Sequence, residues 1–427
     1  FNLSSFDFSG FDTSRVEYMD GMFYSCEKFN EINISSFSSD NLISMSLMFY
    51  GCISLKNIVF PDNFRIKQVE NISGLFAFDK NLENLSLTKF ETNSVRDMTS
   101  VFEGCENLVI LEIPFKTNNV ISMEKIFSGC SQLSKIDVSY FDIEKVNNTA
   151  QMFKDCITLT SLNLSTFNTE SVENMEQMFS GCTELVDIIF STKFVIDKVI
   201  SLEKMFYNCK KLNSLDLSSF VESNATSTLA MFQNCESLIY LSLNNFKGLE
   251  VVNMESMFEG CIHLESLNLS NFIGNISYME RAFSGCYKLE YINIPNLNIK
   301  NVTSLDSLFV NCQSIISLDL SNFETSSVTN FNNTFLGCQN LTDINFGGEM
   351  SWNTSEGTIM QSMFEGCSRL ISLSLNKFVT DKVTSMDKMF KGCENLLLLE
   401  INNFNTQNVI TMNEMFSGVI SLRELDL

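Results

Sequence analysis

The residues best suited to chemistry are the cysteines, and all 14 occupy one kind of place. Each stands three residues after a phenylalanine, at 26, 52, 105, 130, 156, 182, 209, 235, 261, 286, 312, 338, 367 and 393. An even number raises disulfide pairing, and a row of thiols raises metal or redox work. Spacing argues against each. No C-x-x-C pair occurs and the single histidine is His263, so a zinc site lacks its ligands. Helices packed side by side sit about 8–10 Å apart, whereas a disulfide needs Cα atoms within about 7 Å. Val419 takes the cysteine place in the last copy, so an apolar group is enough there. The reading is a ladder of buried free thiols. Asp79 takes the same place in the third copy and is expected to reach solvent or a helix end.

Catalysis finds no better footing. A serine or cysteine nucleophile would depend on His263 alone, in a variable loop after Cys261. G-x-G-x-x-G, P-loop and H-E-x-x-H patterns are missing. Carboxylates abound, but a paired-acid hydrolase also needs a pocket, which a uniform stack does not offer. The expectation is a protein without catalytic residues, cofactor or metal.

The elements that position these residues repeat from end to end. Phenylalanine recurs at 23, 49, 76, 102, 127, 153, 179, 206, 232, 258, 283, 309, 335, 364, 390 and 416, which makes sixteen copies 25 to 27 residues apart with one gap of 29. A fixed period in this range is the signature of a solenoid. Within a copy, Val172, Met175, Met178, Phe179 and Cys182 fall on one stripe of a helix. Ser14-x-x-Glu17 reads as a capping box, and Gly181 as the break that ends the helix. Leu185, Ile188 and Phe190 alternate like a short strand, and Ser165-Thr166-Phe167 turns the chain back. Twenty of the 21 Met lie on the stripe, all but Met350, which marks them as core.

The pattern V-x-x-M-x-x-M-F-x-x-C-x-x-L-x-x-L-x-L-S-x-F-x-T, shown by Val172 through Phe190 and Val383 through Ile401, resembles the BspA-like leucine-rich repeats. The resemblance covers the whole chain. It implies an α/β fold: a right-handed leucine-rich-repeat solenoid of about sixteen 26-residue repeats, with short parallel strands on the concave face and short helices on the convex face. It also implies a surface protein credited with adhesion. The expected organisation is one solenoid over 1–427, about 75 Å along its inner face at the usual strand spacing. Phe1 enters and Leu427 leaves in mid-repeat, so a fragment lacking both caps is expected.

Net charge is −23, from 28 basic and 51 acidic residues, which disfavours nucleic acid and anionic membranes as partners. No membrane span or signal peptide is present within the segment. If Ile188 and Phe190 point inwards, their neighbours form two outward columns on the strand face. Those columns hold Glu112, Asp137, Asp187, Asp216 and Asp319 among other acids, one base (Lys135), and Tyr240 and Tyr291 two copies apart. Trp352, the only tryptophan, lies in the 29-residue copy and either fills a missing Phe corner or projects as a contact. These residues are the candidate ligand-binding set. They suit a protein partner with a basic segment or a glycan. The function expected is a non-enzymatic adhesion or interaction module, extracellular or at the cell surface. A self-associating spacer or lattice subunit and a cytoplasmic scaffold remain open alternatives.

Overall fold

The structure is a computed structural model that describes residues 6–348 and 351–426. Expectations resting on Phe1, Met350 and Leu427 lie outside those residues. Two compact units are present, Phe1–Val199 with Met205–Leu212, and Ile200–Lys204 with Asn213–Leu427. Both are built from the same coil of about 26 residues.

In the first unit the strands are β1 (Glu31–Asn33), β2 (Asn57–Val59), β3 (Asn84–Ser86), β4 (Ile110–Glu112), β5 (Ser161–Leu164) and β6 (Asp187–Phe190). The second unit has β7 (Ser214–Asp216), β8 (Tyr240–Ser242), β9 (Ser266–Asn268), β10 (Tyr291–Asn293), β11 (Ser317–Asp319), β12 (Asp343–Asn345), β13 (Ser372–Ser374), β14 (Leu398–Glu400) and β15 (Glu424–Asp426). Pairing is parallel and in register coil to coil, as in Asp187 with Ser161 and Leu398 with Ser372. The alternation expected of L-x-x-L-x-L holds: Leu162, Leu215 and Leu318 are buried while their neighbours on either side are exposed. The stretch around Lys135 and Asp137 forms no strand.

Helices are missing from the described residues, which corrects the expectation of a helical convex face. Met175, Met178, Phe179 and Cys182 are fully buried as the stripe required, but the backbone beneath them is a chain of turns. In every coil two residues, two places before and two places after the recurring Phe (the ladder Phe, such as Phe179), have positive φ, as Gln177 (54°) and Gly181 (78°) do. Alternate N–H groups then donate to the next coil: Met19 to Ser44 O (2.9 Å), Gly21 to Ser46 O (2.8 Å), Phe23 to Met48 O (2.8 Å) and Ser25 to Tyr50 O (2.7 Å). The N–H groups between them close three-residue turns, Tyr24 onto Gly21 O (2.9 Å) and Cys26 onto Phe23 O (3.0 Å). A helix would satisfy each N–H within its own coil; here half of them tie coil to coil instead. Three-residue turns bring the same i, i+3, i+6 places to one face, so the apolar spacing could not separate the two backbones. Gly181 does not end a helix. It holds a left-handed residue whose Cβ would run into the Asp155 carboxylate. Ser14 is not the cap it resembled, since its N–H is itself bonded to Asp12 Oδ1 at 3.0 Å.

The ladder phenylalanines stack face to face through each unit. Ring centroids are 5.5 Å apart for Phe23–Phe49 and 5.3 Å for Phe179–Phe206 in the first. In the second they are 5.5 Å apart for Phe232–Phe258 and 5.6 Å for Phe390–Phe416. Full burial of one such ring contributes about 1.5–3 kcal/mol, and the stack shares the core with the buried Met, Leu and Cys places of each coil. A third link uses buried threonine. Thr169 Oγ1 accepts the Val195 N–H at 2.7 Å and donates to Val195 O at 2.6 Å, and Thr117 and Thr380 do the same to their next coils.

Candidate functional site

The strand face carries the columns read from the sequence. Asp187, Tyr240 and Tyr291 begin β6, β8 and β10 and are exposed, both tyrosines at 58%. Tyr240 and Tyr291 belong to one column but are separated by Ser266 of β9.

In the second column the acids have work within the fold. Asp216 Oδ1 accepts the N–H of Ser218 at 2.9 Å, and Asp319 Oδ1 accepts from Ser321 N–H and Asn345 Nδ2, each at 3.0 Å. Asn163, Asn268 and Asn345 take the same bond two residues on. The side chain thus closes the turn after the strand, a role open to Asp or Asn alike. Sequence reading missed this, although Asp/Asn-x-Ser recurs at 33, 137, 163, 216, 268 and 319 and carried the signal.

Glu112 and Asp137 are the predicted acids that the structure brings to one place. With Tyr140, Thr88, Leu111, Ile113 and Pro114 they line a cavity of about 290 Å³ in the first unit. Glu112 leaves β4 there and accepts the Ser86 hydroxyl at 2.6 Å. Asp137 comes from the coil without a strand, where its Oδ1 accepts the Ser139 N–H at 2.9 Å. The Ser139 side chain and N–H hold the Asp137 carboxyl below the usual carboxylate range, so it is ionised at neutral pH. Tyr140, exposed at 58%, was not picked out from the sequence because it stands at a variable corner place. Lys135, from the same coil, is not among the residues lining this cavity. The chemistry available is two carboxylates beside an aromatic ring, which receives a cation.

Bases elsewhere are drawn into coil-to-coil ion pairs. Lys80–Glu106, Lys89–Asp62 and Lys382–Glu356 close at 2.6 Å, and Lys211 pairs with Glu184. All are substantially exposed, and such pairs contribute little stability.

Trp352 is only 2% exposed. It fills the missing Phe corner, stacked on Phe323 at 6.3 Å and packed against Phe346 at 4.9 Å. All 14 cysteines are thiols and none forms a disulfide. Asp79 departs from expectation: it is fully buried, its Oδ1 accepts the Cys52 N–H at 2.8 Å, and burial drives its pKa well above the usual range. Solvent is closed off because the cysteine place lies under the turn wall. His263 is exposed and its Nδ1 lies 2.7 Å from Glu236 O. Among the described residues, no three His, Cys, Asp or Glu side chains are grouped to hold a metal.

The family described as "Mycoplasma protein of unknown function, DUF285" matches in overlapping segments over residues 2–272 and 277–426. Among curated proteins none matches. The fold is similar to a leucine-rich repeat protein from Bacteroides ovatus, at 18% identity over 90% of this chain and 88% of that one, with a TM-score of 0.43. A leucine rich cell surface protein from Faecalibacterium prausnitzii is similar at 15% identity over 88% and 89% of the two chains, TM-score 0.39.

Proposed function

The chain belongs to the DUF285 family, and we propose that it is a non-enzymatic interaction scaffold whose strand face receives a basic protein segment. The observation that carries this reading is the cavity shared by Glu112, Asp137 and Tyr140. A lysine or arginine entering it meets two carboxylates and a ring face, in a protein whose net charge of −23 draws cations from a distance. The exposed acids Asp187 and Asp343 extend the attraction along their own units. The resemblance of the repeat to surface-protein repeats supports a location outside the cell or on its surface. No helix among the described residues is long and apolar enough to cross a membrane.

The test is binding of a labelled oligolysine peptide, followed by anisotropy at low salt. The double variant Glu112→Gln, Asp137→Asn is expected to weaken binding about 10-fold. The double variant Glu144→Gln, Glu173→Gln, which removes the same charge from exposed acids outside the cavity, is expected to change it little. Equal effects from the two variants would reduce the site to general charge and overturn the reading.

A further inference from the structure

The 29-residue coil holds a second built cavity with different chemistry. Its volume is about 360 Å³, and its lining comes from two successive coils: Ile344, Phe346, Gly347 and Trp352 on one side, Ser374, Asn376, Lys377 and Phe378 on the other, with Asn345 beside them. That size lies in the range of small-molecule sites. Phe346 and Phe378 meet edge to face at 5.4 Å, so the wall is aromatic.

Two polar atoms in this lining are orphans. Trp352 Nε1 and Asn376 Oδ1 are closed to bulk solvent and have no hydrogen-bond partner among the described residues. The other amide atom of Asn376 is engaged, since Nδ2 donates to Glu400 Oε2 at 3.0 Å. An unsatisfied buried donor or acceptor is destabilising, because it gives up its bonds to water without replacement. Phenylalanine fills the same corner in the flanking coils, at Phe323 and Phe378, and would fill this one without an orphan N–H. Tryptophan here therefore carries a cost that packing alone does not require, and such a group calls for an explanation. Lys377 Nζ donates to Gly347 O at 3.1 Å and ties the two coils across the cavity, leaving ammonium hydrogens for another acceptor.

We propose that this cavity binds a single hexopyranose ring of a glycan. The ring needs an apolar wall for its C–H face, which Phe346 and Phe378 supply. It also needs one donor and one acceptor at fixed places. A sugar hydroxyl is both, so one hydroxyl accepts from the Trp352 indole and another donates to the Asn376 carbonyl. An acetamido or hydroxyl oxygen takes the ammonium of Lys377. Both orphan atoms are closed to bulk solvent, so the ring reaches them only as the lining gives way. A bounded cavity between two coils suits one ring better than an extended peptide. The site is independent of the Glu112–Asp137 cavity, and the two readings fail separately.

Trp352 is the only tryptophan, so its indole N–H gives one resolvable proton resonance in the intact chain. Glucose, galactose, N-acetylglucosamine and N-acetylgalactosamine are titrated separately, with acetyl-dialanine amide as the peptide probe. At least one sugar is expected to move the indole resonance downfield saturably, with Kd on the order of 1 mM. Ser374→Phe, a substitution at an exposed lining residue, is expected to weaken that binding at least about 10-fold. Ser372→Phe, exposed on the same strand but outside the cavity, is expected to leave it unchanged. No response to any sugar, response to the peptide alone, or equal binding by wild type and Ser374→Phe would each overturn the proposal.

Discussion

The thiol of Cys182 donates to the carbonyl oxygen of Phe153, 29 residues earlier and one coil away, at 3.0 Å. The same bond runs from Cys105 to Phe76, from Cys261 to Phe232 and from Cys393 to Phe364. That carbonyl also receives an N–H from its own coil, as Phe153 O does from Cys156 at 3.2 Å. The cysteine row is thus a hydrogen-bonded seam rather than a reactive one.

Thiol reactivity should follow from this seam. Burial pushes the Cys130 and Cys338 thiols up to about 12 and raises Cys105, Cys156, Cys312 and Cys367 beside them. The thiolate is the reacting species, so these residues are inert at neutral pH. Cys26 alone is not fully buried. A colorimetric disulfide reagent is expected to modify only Cys26 in the native protein and the rest after denaturation. Rapid modification of several thiols in native buffer would contradict the seam.

The turn wall makes a prediction of opposite sign from a helix. Lys388 has φ 57° and its N–H is bonded to Asn413 O at 2.8 Å. Glycine relieves a left-handed residue of about 1 kcal/mol, whereas in a helix interior it would cost about as much. Lys388→Gly is expected to raise the midpoint of urea unfolding. A lowered midpoint at an unchanged slope would count against the wall as described.

Asp79 makes stability depend on pH. Its folded pKa is raised by desolvation, so between the unfolded value near 3.8 and the folded value the native state binds more protons. Stability then falls as pH rises through that window, by up to about 1.4 kcal/mol per pH unit. Other carboxylates, such as Asp319 with its lowered pKa, act the other way, so the useful quantity is a difference. Asp79→Cys restores the common residue and is expected to be more stable than wild type, with the gap widening from pH 4 toward neutrality. A gap independent of pH would show that Asp79 is not the titrating group.

Column acids that close turns should tolerate loss of charge but not loss of the acceptor. Asp319→Asn keeps the bond to the Ser321 N–H, as Asn163 and Asn268 do in their own coils. Its stability is expected to stay within about 0.5 kcal/mol of wild type. Asp319→Ala is expected to cost about 1 kcal/mol. Equal losses from the two substitutions would point to charge instead.

The sequence by itself determined the period, the ladder phenylalanines, the buried methionine and cysteine places and the alternating strands. Those properties depend on which side chains avoid water, and that choice is written residue by residue. Glu112 and Asp137 were legible as outward acids for the same reason, whereas Trp352 stayed open between the corner place and a projecting contact until its burial decided for the corner. The backbone of the wall was decided only in three dimensions, because its N–H groups bond to carbonyls about 25 residues on, as Met19 does to Ser44. A spacing of apolar residues says which face is buried but not where the polar backbone finds its partners. Tyr140 beside the two acids, and Asn376 beside Trp352, were hidden likewise, since each pair meets across coils or a turn. Burial patterns are local in the chain; hydrogen bonds between coils and the cavities they frame belong to the stacked structure alone.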